Sequence, residues 1–415
     1  MDRKKDFILR ILSKLGCQQY IMKRRFFKQE NVYSCIWCLY YMQGTLYPEG
    51  SVISQSLLAA FLAMSIYYYY VVFRMKNVHR VIKALQYLAI MFGVYGLIRL
   101  TENTHEWKRV CDATTYFKEY ELSILPIFSY YYFARCGKIN RRWFFRVSLL
   151  FLLTAVVSFY YQQAKAMFEY GADEVTNNAG YFVVSLLPVV VFLKKRPLFQ
   201  YAVLSVIFFL VISGMKRGAI VVVVIASSYF VLESYHYAKG SKKLLYLLLG
   251  TLIVVGGFLF FQFQLETSNY MQLRLEKTME GDMSNRENMY PDYLNYYFKN
   301  ASIVEYLLGY GADSTFENMG DYAHQDWIET LMNQGFIGIC FYLNYWLAIL
   351  YATLKSFQRR YSNITLILCL FVMIYFMKSM VSMSINGMTI FSTSALAYAL
   401  AAMDNVCIRR DLNEK

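Results

Sequence analysis

The sequence predicts an all-α polytopic membrane protein of about twelve transmembrane helices with one large external loop. Three observations carry that prediction. Of the 415 residues, 57% are hydrophobic and only 17% charged, whereas average soluble proteins carry about 25% charged residues. Apolar runs of about twenty residues recur along the whole length, enough to cross a bilayer as helix. Basic residues, finally, concentrate in alternate connecting segments, as the positive-inside rule requires.

The elements follow in order. Residues 1–30 are basic and lack an apolar core, so they read as a retained cytoplasmic segment and not as a signal peptide. Lys23, Arg24, Arg25 and Lys28 within it are placed to meet anionic lipid heads. Nine spans occupy 31–262, at roughly 31–48, 50–73, 81–100, 119–135, 143–161, 178–193, 198–214, 218–235 and 244–262. A large external loop, 263–332, follows, then three spans within 333–404 at roughly 333–354, 362–383 and 387–404, and a cytoplasmic tail, 405–415. Segments 74–80, 136–142, 194–197, 236–243 and 355–361 are rich in Lys and Arg, like both termini. Segments 101–118, 162–177 and 263–332 hold at least as many acids as bases. Both termini are therefore expected in the cytoplasm. The net charge of +14 is accounted for by this distribution, and no nucleic-acid partner is expected. Cys35 and Cys38 form a lone C-x-x-C inside an apolar run, where small apolar fillers fit better than a metal or redox pair.

The 263–332 segment is too long for a turn, and loops of that length are functional or disordered. Its aromatic content (Tyr290, Tyr293, Tyr296, Tyr297, Phe298, Tyr306) argues against disorder, and Pro291 to Tyr306 has the pattern of an amphipathic helix lying along the membrane surface. Between Gln264 and Gln325 it carries ten acids and four bases. The candidates for chemistry lie here and at one other place. Lys216 and Arg217 sit between two apolar runs on the side assigned to the exterior, where bases need compensation. They could snorkel to lipid phosphates or hold the phosphate of a lipid-linked substrate, for which the planar guanidinium fork is suited. Arg274 and Arg286 are solvated charges or partners of Glu276, Glu280 or Asp282. His324 stands among Asp321, Asp326 and Glu329, and a carboxylate beside a histidine is how general bases are built. Asp326 also suits a helix start, where the dipole favours an acid. No Walker loop, G-x-S-x-G, H-E-x-x-H or metal cluster is present, so neither a metal nor a cofactor is expected, and a substrate handled here must arrive already activated.

Three local matches, spread over roughly 177–345, resemble the O-antigen polymerase and ligase superfamily (Wzy-like and WaaL-like proteins). They are Asn177-Asn178-Ala179-Gly180-Tyr181 leading into Leu187-Pro188; Ser213-Gly214-Met215-Lys216-Arg217-Gly218-Ala219, similar to the family's S-x-x-R-G; and an ordered set. That set is Ser284-Asn285-Arg286, Leu308-Gly309-Tyr310-Gly311, Ala323-His324 and Gly335-Phe336-Ile337-Gly338. One departure stands out: family members commonly carry Asn or Ser after the histidine, where this chain has Gln325 and Asp326. The resemblance implies a GT-C-like glycosyltransferase of the bacterial inner membrane, with undecaprenyl-diphosphate-linked oligosaccharides as donor and acceptor and a chain-length regulator as an expected partner. It also implies sugar transfer with inversion into O-antigen, capsular or exopolysaccharide chains. Arg217 and Arg286 would bind the donor diphosphate and His324 would orient or deprotonate the acceptor hydroxyl. Lys216, Arg274 and Asp326 are further substrate-binding candidates. Tyr290, Tyr293 and Tyr297 could stack on sugar rings, although packing is the plainer role for them. An O-antigen ligase of the same superfamily and a polysaccharide flippase are the alternatives. The absence of an internal repeat counts against the flippase.

Overall fold

The computed structural model describes residues 28–101, 113–171, 174–236, 238–279, 286–359 and 361–404. The basic residues Lys23, Arg24 and Arg25 and the tail 405–415 lie outside them. Every regular element among the described residues is helical. The first part of the chain supplies α1 (Gln29–Tyr41), α2 (Val52–Phe73), α3 (Arg80–Thr101), α4 (Ala113–Ile124), α5 (Pro126–Arg135) and α6 (Arg141–Tyr170). The middle supplies α7 (Ala179–Val184), α8 (Leu187–Val190), α9 (Pro197–Ser213), α10 (Arg217–His236) and α11 (Ser241–Thr267). Then come α12 (Asn269–Met279), α13 (Arg286–Asn300), α14 (Ile303–Leu308) and α15 (Ser314–Met319), and finally α16 (Asp326–Gln358), α17 (Ser362–Val381) and α18 (Ile390–Asp404).

Seven of these helices, α2, α3, α6, α10, α11, α16 and α17, are long and apolar enough to cross a membrane. The chain is an α-helical, multi-pass membrane protein by that criterion. Three shorter apolar helical stretches, 179–193, 197–213 and 390–404, accompany them. Local chemistry sets several ends. The Ser51 side chain accepts from the Ser54 amide to start α2, Asn140 does the same for Trp143 at α6, and Gly171 closes α6 in the left-handed region (φ +57°). Two runs predicted as single spans are organised differently. The run 31–48 forms helix only over the 13 residues of α1. The run 119–135 is divided at Leu125, because Pro126 has no amide to continue a ladder and instead occupies the first turn of a new helix.

The bundle is layered around α18, whose residues from Ile390 to Met403 are all buried. Ala395, Ala397, Ala399, Ala401 and Ala402 keep that helix thin, which lets α5 and α17 pack closely on it. At the other extreme α11 buries only Tyr246, Gly250 and Ile253, and its remaining apolar surface faces outward, as a lipid-facing helix does.

Residues 286–325, with α13 to α15, form a cap at one end of the bundle. Tyr293, Tyr297 and Ala323 of the cap pack against Ile328, Leu331 and Met332 of α16 in a small core separate from the main one. The amphipathic helix expected over 291–306 begins earlier, at Arg286, and stops at Asn300. Ser302 starts the next helix with a capping box: its side chain accepts from the Glu305 amide and Glu305 accepts from the Ser302 amide. Tyr293 and Tyr297, four residues apart on α13, point together into the cap core.

Candidate functional site

The glycine motifs of the sequence turn out to hold the cap on the bundle. Within α16 the backbone kinks at Gly335 (φ +64°, ψ −161°), a region open in practice to glycine alone. There it meets the Leu308-Gly309 backbone: a Cβ on Gly335 would lie 2.5 Å from the Gly309 nitrogen and 2.6 Å from the Leu307 carbonyl carbon. Tyr310 and Gly311 amides donate to the Met332 and Asn333 carbonyls at 2.8 and 3.1 Å across the same crossing. Elsewhere the cap docks through Arg99 of α3, which forms a buried ion pair with Glu317 of α15, and through the Tyr95 hydroxyl, which donates to the Leu308 carbonyl.

Docking the cap brings four segments together at that end. The first is the turn between α9 and α10. Asn177 is buried and ties it down: its amide donates to the Gly214 carbonyl at 2.8 Å, its side-chain nitrogen to Phe159, and its side-chain oxygen accepts from Ala179. Met215, just before Lys216, sits in the left-handed region (φ +52°), which costs a non-glycine residue about 1–2 kcal/mol. The turn thereby presents half-buried Lys216 and Arg217 at the head of α10, beside Gly180 and Tyr181 of α7.

The second segment is the start of α13. Arg286 Nη1 donates to the carbonyl of Val381, the last residue of α17, at 2.5 Å. Burial raises the pKa of the Tyr290 hydroxyl one turn on, and Arg286 beside it opposes that shift. The third is the loop before α16. His324 has left-handed backbone (φ +52°) and is 44% exposed, with Nε2 3.9 Å from Asp321 Oδ1. Burial lowers its pKa below the ordinary value, as do Arg286 and Lys216, while Asp321 pulls the other way. The imidazole is therefore neutral at pH 7 and one ring nitrogen can accept a proton.

The fourth segment is the end of α17, and it supplies a residue that the sequence reading passed over. Lys378 is buried, its ammonium 5.2 Å from the centre of the Tyr181 ring. Lys216 lies within its electrostatic reach, as Arg286 does for Tyr181. A lysine inside an otherwise apolar span was the available signal, because intramembrane charges are costly and rarely idle.

Three sequence candidates have other work. Asp326 does not face His324. It is buried, and its carboxylate accepts from the Ser384 and Ile385 amides (2.8 and 3.3 Å) and from the Tyr342 hydroxyl (2.8 Å). It fixes the turn after α17, with Lys378 as its counter-charge. Glu329 likewise points inward, accepting from Thr315 (2.5 Å) and the Ala323 amide (2.6 Å), which braces the residue before His324. Tyr293 is 3% exposed and its hydroxyl donates to the Asp321 carbonyl at 2.6 Å, so it holds the His324 turn from below. Arg274 falls on α12, and its side chain is outside what is described. No metal-binding group of three or more His, Cys, Asp or Glu occurs among the described residues.

No family model matches the chain, and no curated protein or solved structure does either. The chemical case rests on the arrangement itself. Among the described residues, Arg286 and Lys216 act on the His324 imidazole beside Asp321, and Lys216 acts on Lys378, whose counter-charge is Asp326. Basic groups drawn from separate segments to one place favour an anionic ligand there.

Proposed function

We propose that this protein is a membrane glycosyltransferase that polymerises polyprenyl-diphosphate-linked oligosaccharide repeat units, at the membrane face where the cap lies. The observation that carries the reading is the convergence of Lys216, Arg286 and Lys378 around His324, from segments far apart in sequence. A diphosphate is the anion such a set fits: Arg286 and Arg217 supply planar forks, Lys216 and Lys378 point charges. In the reaction the acceptor hydroxyl oxygen bonds to the anomeric carbon of the donor while that carbon's bond to the phosphate oxygen breaks. The electron pair leaves on the diphosphate, where the cations stabilise it, and the hydroxyl proton passes to the neutral His324 imidazole. Attack opposite the leaving group inverts the anomeric centre. The twelve-span topology, the cytoplasmic termini, the GT-C-like architecture and the inner-membrane location all belong to the same proposal.

A complementation assay tests it. A deletion strain should cap its surface glycan with single repeat units, and wild type should restore a ladder. Arg217→Ala, Arg286→Ala, His324→Ala and Lys378→Ala should each fail to restore it while reaching the membrane at normal level. Arg286→Lys should be severely impaired, since it keeps the charge and loses the fork. Long chains that stay on the lipid carrier in the deletion strain would make the protein a ligase, and absence of any surface repeat unit would make it a transporter.

A further inference from the structure

The opposite end of the bundle carries a second basic site that the chemistry above does not use. Between the start of α3 and the end of α16 lies an open groove of about 490 Å³, bounded by Arg80, Lys83, Tyr87, Asn344, Leu347 and Tyr351. Arg80 opens α3 and Arg99, at its other end, reaches the cap, so the groove is about 30 Å from the cap along the helix. The Arg80 guanidinium lies 5.6 Å from the Tyr351 ring centre and the Lys355 ammonium 5.7 Å from it, so one aromatic ring organises two cations at the mouth. Lys83 adds a third, and none of the described residues lining the groove is a carboxylate. The rest of the lining is apolar: Ala84, Leu347 and Ala348.

Asn344 points to what fills it. It stands seven residues, about 10 Å, before Tyr351 on a membrane-crossing helix. It is exposed, and its amide has no hydrogen-bond partner among the described residues. An amide facing hydrocarbon is costly without a partner. Cations at the helix ends, an apolar lining and an isolated amide one to two turns beneath together match an anionic phospholipid. Its phosphate would sit at Arg80 and Lys83, an ester oxygen would accept from Asn344 and an acyl chain would lie along Leu347.

We propose that the groove between α3 and α16 binds one anionic phospholipid of the surrounding leaflet. The test uses the full chain in neutral detergent, with bound lipid read by native mass spectrometry. Phosphatidylglycerol should be retained in preference to phosphatidylcholine. Arg80→Ala with Lys83→Ala should lose about thirtyfold in affinity, roughly five- to sixfold for each base removed. A control that removes two bases of the same end outside the groove, Lys242→Ala with Lys243→Ala, should leave retention unchanged. Asn344→Leu, which keeps every charge, should lose severalfold and guards against failure of the double variant to fold. Equal retention of the two lipids, equal loss in the control, or displacement of the lipid by millimolar inorganic phosphate would overturn the proposal.

Discussion

The bundle and the cap are held together by different physics. In the bundle hydroxyls pair side chain to side chain between helices: Tyr33 with Ser65 at 2.7 Å, Ser34 with Tyr130 at 2.8 Å, Ser185 with Thr389 at 2.7 Å. Backbone groups there are satisfied within helices, and packing around the thin α18 does the rest. In the cap the helices are short and leave many carbonyls open, so tyrosines close them. Tyr297 reaches the Glu305 and Tyr306 carbonyls, Tyr306 the Phe298 carbonyl, and Tyr293 the Asp321 carbonyl. The same residue type therefore packs the bundle and bonds the backbone of the cap. The consequence is that cap geometry, and with it His324 and Arg286, depends on a few specific contacts, whereas the bundle spreads its stability over many.

The largest expected break in that contrast is Gly335→Ala. The methyl would meet the Gly309 backbone in a conformation closed to alanine, so the cap should come off the bundle. Limited proteolysis should then cleave within 286–325 while the spans stay inserted; unchanged resistance would mean that the crossing does not hold the cap. Next is Arg99→Ala, which removes the buried Arg99–Glu317 ion pair and should cost about 3–5 kcal/mol of cap stability. Adding Glu317→Gln should recover much of it, as read by hydrogen exchange over 303–325.

A pH effect comes third. Burial raises the Asp313 pKa to about 7, with Glu119 adding and Arg99 opposing. A carboxyl whose folded pKa is raised contributes stability that is complete below its ordinary value near 4 and lost as pH rises through about 7. The cap should therefore loosen between pH 4 and 7, and Asp313→Asn, which tolerates the left-handed backbone at that position (φ +59°), should flatten that dependence. Hydrogen exchange of the cap against pH checks it, and an unaltered slope in the variant would assign the dependence to another group. His324 acts the opposite way: catalysis needing the neutral ring should hold down to about 6.5, the ordinary histidine value, and fall only at lower pH, because burial lowers its pKa. The smallest contrast is Tyr297→Phe against Tyr33→Phe. The first should cost about 1 kcal/mol, the second about 0.6, the mean for bonds inside membranes. Equal losses would erase the distinction between the two regions.

His324, Arg286, Lys216 and Arg217 were legible as candidates because charges are conspicuous in a chain of apolar runs. Lys378 was equally conspicuous inside its span and was missed, since nothing local tied it to the others. Asp326 and Glu329 looked like partners of His324 because they follow it closely, but the helix that begins at Asp326 turns both carboxylates inward, toward Ser384 and Thr315. The break at Pro126 was signalled by the proline itself. The end of α1 was signalled too, by Gln43-Gly44-Thr45, whose glycine takes a positive φ (+86°).

By itself the sequence determined the class of the protein, its apolar helices, the long polar insertion and the residues able to carry charge or protons. These are properties of composition and periodicity, fixed before the chain folds. The tertiary structure alone decided which charges meet. The Gly309–Gly335 crossing, the Asn177-held turn and the Asp326 anchor act between segments far apart in the chain, and side-chain direction at such junctions follows from backbone contacts that no local pattern encodes.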